Sequence, residues 1–115
     1  MRYGVLGLMA VLASAVWMGS WTATAAAQDK VSRADAAALY KQRCAMCHGP
    51  NGDSKLQGMS FTDGVWKHGT SAKEVAATIR DGVPGTAMLP FKAKLKANEI
   101  DALAEFVRAF DQQLK

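Results

Sequence analysis

The sequence predicts an all-α fold in which three main helices are joined by long ordered loops. Three observations carry that expectation. Serine followed three residues later by a carboxylate opens two apolar-periodic segments, at Ser32 with Asp35 and at Ser71 with Glu74, which is the capping-box pattern of a helix start. A one-faced apolar series runs through Ile100, Leu103, Ala104, Phe106, Val107, Phe110 and Leu114, matching the 3.6-residue period of an amphipathic helix. The intervening stretches, Gly49 to Gly69 and Gly82 to Lys96, are rich in Gly, Pro, Asn and Asp and lack the alternation of a strand.

Taken in order, the chain begins with an export signal. Met1 and Arg2 supply a basic start, Val5 to Met18 is an apolar run, and Thr22 to Ala27 is small throughout. That succession marks a secretory leader. Ala25 and Ala27 place cleavage before Gln28, giving a leader over 1–27 and a mature domain over 28–115. An uncleaved membrane anchor is the alternative, since Tyr3 to Ala27 carries no charge and is long enough to span a bilayer. Ser14, Ser20, Thr22 and Thr24 dilute it, and the small-residue end suits cleavage.

The first helix starts after Ser32, places Ala36, Leu39, Tyr40 and Arg43 at helical spacing, and runs directly into Cys44. The second follows Ser71 with an apolar stripe of Val75, Thr78 and Ile79. Gly82 closes it, with Pro84 just beyond. The third begins near Asn98 and is expected to continue to the C-terminus, presenting an apolar face that needs a partner helix.

Composition narrows the class. A chain of 115 residues holds one domain, and a domain this small is marginal on its apolar core alone. Only two cysteines are present, so no disulfide framework supplements that core. Of the 14 Lys and Arg residues only Arg2 lies in the leader, leaving 13 against 10 acidic residues, a mildly basic balance. Export, and the lack of a basic run interleaved with aromatics, disfavour nucleic acid as a partner. Loops of this length inside a compact domain imply function or disorder. A large flat cofactor wrapped by the loops reconciles them with a folded domain.

Cys44-Ala-Met-Cys47-His48 is the motif of highest specificity. Two cysteines one helical turn apart can form thioethers to neighbouring vinyl groups of one haem, which holds the adjacent imidazole beneath the iron. A thioredoxin-like pair needs a βαβ setting, whereas here a helix precedes the motif and Gly-Pro-Asn-Gly follows. Zinc needs four ligands, and beyond the motif only His68 and carboxylates remain. A disulfide between Cys44 and Cys47 would close a tiny loop and stabilise little. For a ligand on the other haem face, the residues after His48 leave Met59, Met88 and His68 open.

With these motifs, residues 31 to 112 resemble the class I cytochromes c, small bacterial monohaem electron carriers. A helix entering Cys-x-x-Cys-His, a methionine loop and a C-terminal helix crossing the first are shared with that family. The segment from Ile79 to Phe91 is similar to its methionine loop, with Leu89 standing where proline more often follows the ligand. The resemblance implies a cytochrome c fold around one covalent haem c, with His48 and Met88 as axial ligands. Met46 and Met59 are then read as soft packing residues, with bis-histidine ligation through His68 as the lesser alternative. The resemblance also suggests Trp66 and His68 at a haem edge, where an N–H can bond a propionate, and Arg80 either balancing a propionate or capping its helix.

Imidazole and thioether together favour ferrous iron relative to two nitrogen ligands, and saturated coordination disfavours chemistry at the iron. The expected role is therefore electron transfer, not catalysis. Lys92, Lys94 and Lys96 follow the methionine loop, with Lys55 and Lys67 as further candidates for a basic haem-edge surface that steers redox partner proteins. A periplasmic shuttle is expected first. A dedicated subunit or acceptor of one periplasmic enzyme comes second, and a gas-binding or catalytic haem protein with an open sixth position third.

Overall fold

The computed structural model describes residues 29–115; the expected leader over 1–27 lies outside the described residues. Four helices follow in order, α1 (Arg33–Arg43), α2 (Ala45–His48), α3 (Ala72–Asp81) and α4 (Ala97–Arg108), then a short 3₁₀ turn over Gln112–Leu114. No strand occurs among the described residues, in agreement with the all-α expectation.

The three longer helices start where a side chain can serve a free backbone N–H group at the helix entry. Ser32 Oγ accepts from the Asp35 N–H at 3.1 Å and donates to the Asp35 carboxylate at 2.6 Å. At α3 the box is complete, with Ser71 Oγ accepting from the Glu74 N–H and Glu74 Oε2 accepting from the Ser71 N–H at 3.0 Å. The start of α4 lies at Lys96, whose N–H donates to Glu99 Oε2 at 2.7 Å.

The core forms where α1 and α3 pack on α4. Leu103 and Ala104 are fully buried, and Tyr40, Val75, Ile79, Ile100 and Val107 surround them. Burying such aliphatic side chains stabilises by about 1.5–3 kcal/mol each. Tyr40 rests against Phe106 and Phe110, with ring centroids 5.4 and 5.1 Å apart.

The C-terminal helix is shorter than its apolar period suggests. It ends at Arg108, and the chain turns so that the Phe110 and Asp111 N–H groups donate to the Val107 and Arg108 carbonyls. The turn carries Phe110 over Gly52, where a Cβ would meet the ring at 2.7 Å. Tertiary packing of one aromatic on a residue without a side chain thus overrides the helical pattern.

Candidate haem site

One cleft of about 490 Å³ gathers nearly all the residues that sequence reasoning selects. It runs between α2, the loop after it, and the segment connecting α3 to α4. Cys44, Cys47, His48, Met88, Trp66 and His68 all line it. Its remaining walls are largely apolar, built from Phe61, Val75, Ile79, Phe91, Leu103 and Val107.

The Cys44 to His48 segment reaches the cleft because α1 ends one residue before it. Cys44 closes α1 by donating its N–H to the Tyr40 carbonyl at 2.8 Å, and also occupies the N-cap of α2. The single turn of α2 then brings Cys47 and His48 round to the cleft beside Cys44. Its far end is tied to α1, since the Tyr40 hydroxyl donates to the Gly49 carbonyl at 2.6 Å. Cys44 is half-buried and Cys47 exposed. Burial, with the neighbouring Cys47, pushes the Cys44 thiol up to about 11.

Two contacts fix the His48 imidazole. Nδ1 lies 2.8 Å from the Met59 carbonyl, an acceptor that requires the proton to sit on Nδ1 and leaves the Nε2 lone pair free. Phe61 stacks on the ring at 4.5 Å with an interplanar angle of 18°. Met59 therefore acts on the imidazole through its main chain, and the residue lines the cleft.

Met88 sits in a closed hydrogen-bonded loop. Thr86 Oγ1 donates to the Val83 carbonyl at 2.7 Å and accepts from the Met88 N–H at 3.1 Å, while the Val83 N–H donates to the Met88 carbonyl at 2.9 Å. The segment then docks on the end of α3, as the Phe91 and Lys92 N–H groups donate to the Ile79 and Arg80 carbonyls. Gly82 makes this approach possible, with φ +69° and a Cβ position only 2.6 Å from the Met88 carbonyl oxygen. A side chain there has no room and the wrong backbone conformation.

Other expected site residues fall differently. Trp66 lines the cleft, but its Nε1–H donates to Asp111 Oδ2 at 2.8 Å. That N–H is therefore committed within the protein instead of free for a propionate, and Trp66 offers the cleft its ring. Arg80 is absent from the cleft lining and pairs with Asp81 at 2.7 Å on the exposed end of α3. His68 is exposed at the cleft wall. Lys94 and Lys67 reach the cleft, Lys92 lies 3.7 Å from Asp81, and Lys96 is exposed at the start of α4.

Sequence reasoning missed Phe61, the Met59 carbonyl, Thr86 and Asp111. Phe61 carried the available signal, as one of two large aromatics, with Trp66, in a Gly-rich stretch. The donor set fits haem c: paired thiols one turn apart, an imidazole with a free nitrogen, a thioether on a separate loop, and an apolar slot among them.

Fold and site together define a c-type cytochrome, a protein built to hold haem c. Residues 32–107 match the family described as cytochrome c oxidase, cbb3-type, subunit III, and the chain belongs to that family. Among curated proteins it is similar to the cbb3-type cytochrome c oxidase subunit FixP of Azorhizobium caulinodans, 32% identical over 85 residues. That match takes in 72% of this chain but only 29% of FixP. Among solved structures it is similar to the KustC0563 c-type cytochrome, at TM-score 0.58 and 35% identity, covering 67% of this chain and 98% of the other. Cytochrome CL of Methylophaga aminisulfidivorans also matches, at TM-score 0.59 and 26% identity, over 71% of this chain and 55% of that one. No helix among the described residues is long and apolar enough to cross a membrane.

Proposed function

We propose that residues 28–115 form a periplasmic one-electron carrier holding a single haem c, released from its leader by cleavage before Gln28. In this reading Cys44 and Cys47 bear the thioethers, and His48 and Met88 ligate the iron axially. The observation that carries it is the one cleft in which the Cys44 to His48 turn and the Met88 loop converge. When bound, haem supplies a one-electron couple between ferrous and ferric iron. The chain's own residues do the rest. The Met59 carbonyl and Phe61 orient His48, the Thr86 and Val83 bonds hold Met88 in place, and the apolar walls exclude water. A site held this firmly changes little between oxidation states, which favours fast outer-sphere transfer.

Lys92, Lys94, Lys96 and Lys67 are exposed around the loops bordering the cleft. They support recognition of an acidic patch on a redox partner protein. The similarity to an oxidase subunit favours a second reading, a dedicated subunit of a larger redox complex. Co-purification with a large partner separates that reading from a free shuttle. An open sixth position, as in a gas sensor, predicts ready carbon monoxide binding, which a Met88-ligated carrier resists.

Two measurements test the assignment. Denatured protein keeps a haem-sized mass increment if the thioethers are present; without that increment in matured protein the covalent reading fails. Met88→Ala abolishes the sulfur-to-iron charge-transfer band and lowers the potential. Survival of both features would remove Met88 from the iron.

A further inference from the structure

Asp111 is the one buried charged residue among those described, 6% exposed, and it lies beyond the end of α4. Its carboxylate accepts from Trp66 Nε1 at 2.8 Å and from the Gln113 N–H at 2.9 Å. Among the described residues no Lys or Arg pairs with it. The bond from Trp66, and then that from the Gln113 N–H, hold the carboxyl below the usual carboxylate range and so keep it charged, and closing a single 3₁₀ turn does not require the indole.

The chain of contacts leads from Asp111 into the cleft. Trp66, held by the carboxylate, stacks on Phe61 at 5.5 Å and 21°, and Phe61 stacks on His48 at 4.5 Å and 18°. Phe110, beside Asp111, is parallel to Phe61 to within 1° at 6.4 Å. Rotation of the indole would carry Phe61 with it, and Phe61 is the face against which the imidazole rests. The Met59 carbonyl holds one atom of that imidazole; the stack sets the plane of the ring. The charge itself stands one indole away from the cleft wall, and a negative charge there stabilises the more positive oxidised iron.

We propose that Asp111 is a positioning residue for the haem site, fixing the imidazole plane through Trp66 and Phe61 and lowering the midpoint potential through its unpaired charge. The proposal rests on His48 being an iron ligand.

The test compares holoproteins. Asp111→Asn keeps an oxygen for the indole N–H and removes the charge, so the midpoint potential rises while the electron paramagnetic resonance g values of the oxidised low-spin iron stay as in wild type. Asp111→Leu removes both, so the potential rises and the g values shift. Should the leucine variant fail to fold, Trp66→Phe keeps an aromatic ring, smaller than the indole, loses the N–H, and shifts the g values with Asp111 intact. An unchanged potential in Asp111→Asn overturns the charge effect, and unchanged g values in the folded variants lacking the anchor overturn the stack. Lowered thermal stability with neither signal moved reduces Asp111 to a structural cap. A wild-type spectrum without histidine-ligated low-spin iron overturns instead the site assignment beneath the proposal.

Discussion

Replacing Tyr40 with phenylalanine removes a single oxygen atom, yet that atom ties the iron-binding turn to the helical frame. Tyr40 is 2% exposed and its hydroxyl donates to the Gly49 carbonyl at 2.6 Å. Tyr40→Phe leaves this half-buried carbonyl without its partner, a loss of about 1–2 kcal/mol. For a domain of this size the melting temperature should fall by about 5–15 °C. A second signature is specific to the hydroxyl. Burial, followed by the neighbouring Cys44, raises the Tyr40 phenol from 10.0 to about 12; the Cys44 part disappears once that thiol is a thioether, and burial remains. The unfolded chain releases the phenolic proton near pH 10 while the folded chain retains it. The contribution is therefore fully present below pH 10 and lost as pH rises toward about 12. The full shift corresponds to about 2.7 kcal/mol, and loss of the Cys44 part in the holoprotein leaves about 1–2 kcal/mol. Urea unfolding of wild-type and Tyr40→Phe holoproteins from pH 7 to 12 measures both effects, and the gap between them should narrow as the phenol ionises. A variant as stable as wild type at pH 7, losing stability in parallel above pH 10, would refute the assignment of this bond.

Two further outcomes follow from the site. Gly82→Ala forces a Cβ to within 2.6 Å of the Met88 carbonyl oxygen at φ +69°, so the methionine loop should lift and the holoprotein bind carbon monoxide far more readily than wild type, as read by the Soret shift. Equal carbon monoxide binding in the two would show that the loop does not depend on this approach. In the haem-free chain Cys44, with its thiol near 11, holds only roughly a thousandth of its population as thiolate at pH 8. Alkylation at Cys44 should therefore quicken about tenfold per pH unit up to pH 10 and lag behind the exposed Cys47, as followed by peptide mass. A Cys44 rate independent of pH would contradict its burial.

Local signals were legible where the physics is local. Ser32 and Ser71 cap helices because a hydroxyl three residues before a free N–H has few other partners, and both bonds form. The Cys44 to His48 motif and Met88, each legible as a short local pattern, line one cleft. What escaped depended on distance along the chain. Asp111 meets Trp66 across 45 residues, and nothing in either neighbourhood announces the pair, so only the family resemblance offers the indole N–H a partner, a propionate. Met59 was weighed as a side chain, whereas its carbonyl makes the contact with His48. The apolar period past Arg108 misled because Phe110 leaves the helix to pack over Gly52, beside Tyr40 and Phe61. Arg80 differs, since its partner is the adjacent Asp81 and not the propionate or helix end that the sequence offered it.

Val75, Ile79, Leu103 and Val107 belong at once to the hydrophobic core and to the wall of the cleft. In most domains a repair to the interior and an adjustment to the active surface can be made separately, because different atoms are involved. Here a methyl group added or removed at any of these four positions alters the cohesion of the helices and the polarity felt by the bound group together. The folding stability and the electrochemistry of this chain are therefore coupled traits. Variants selected for heat resistance through these residues should drift in redox behaviour as well.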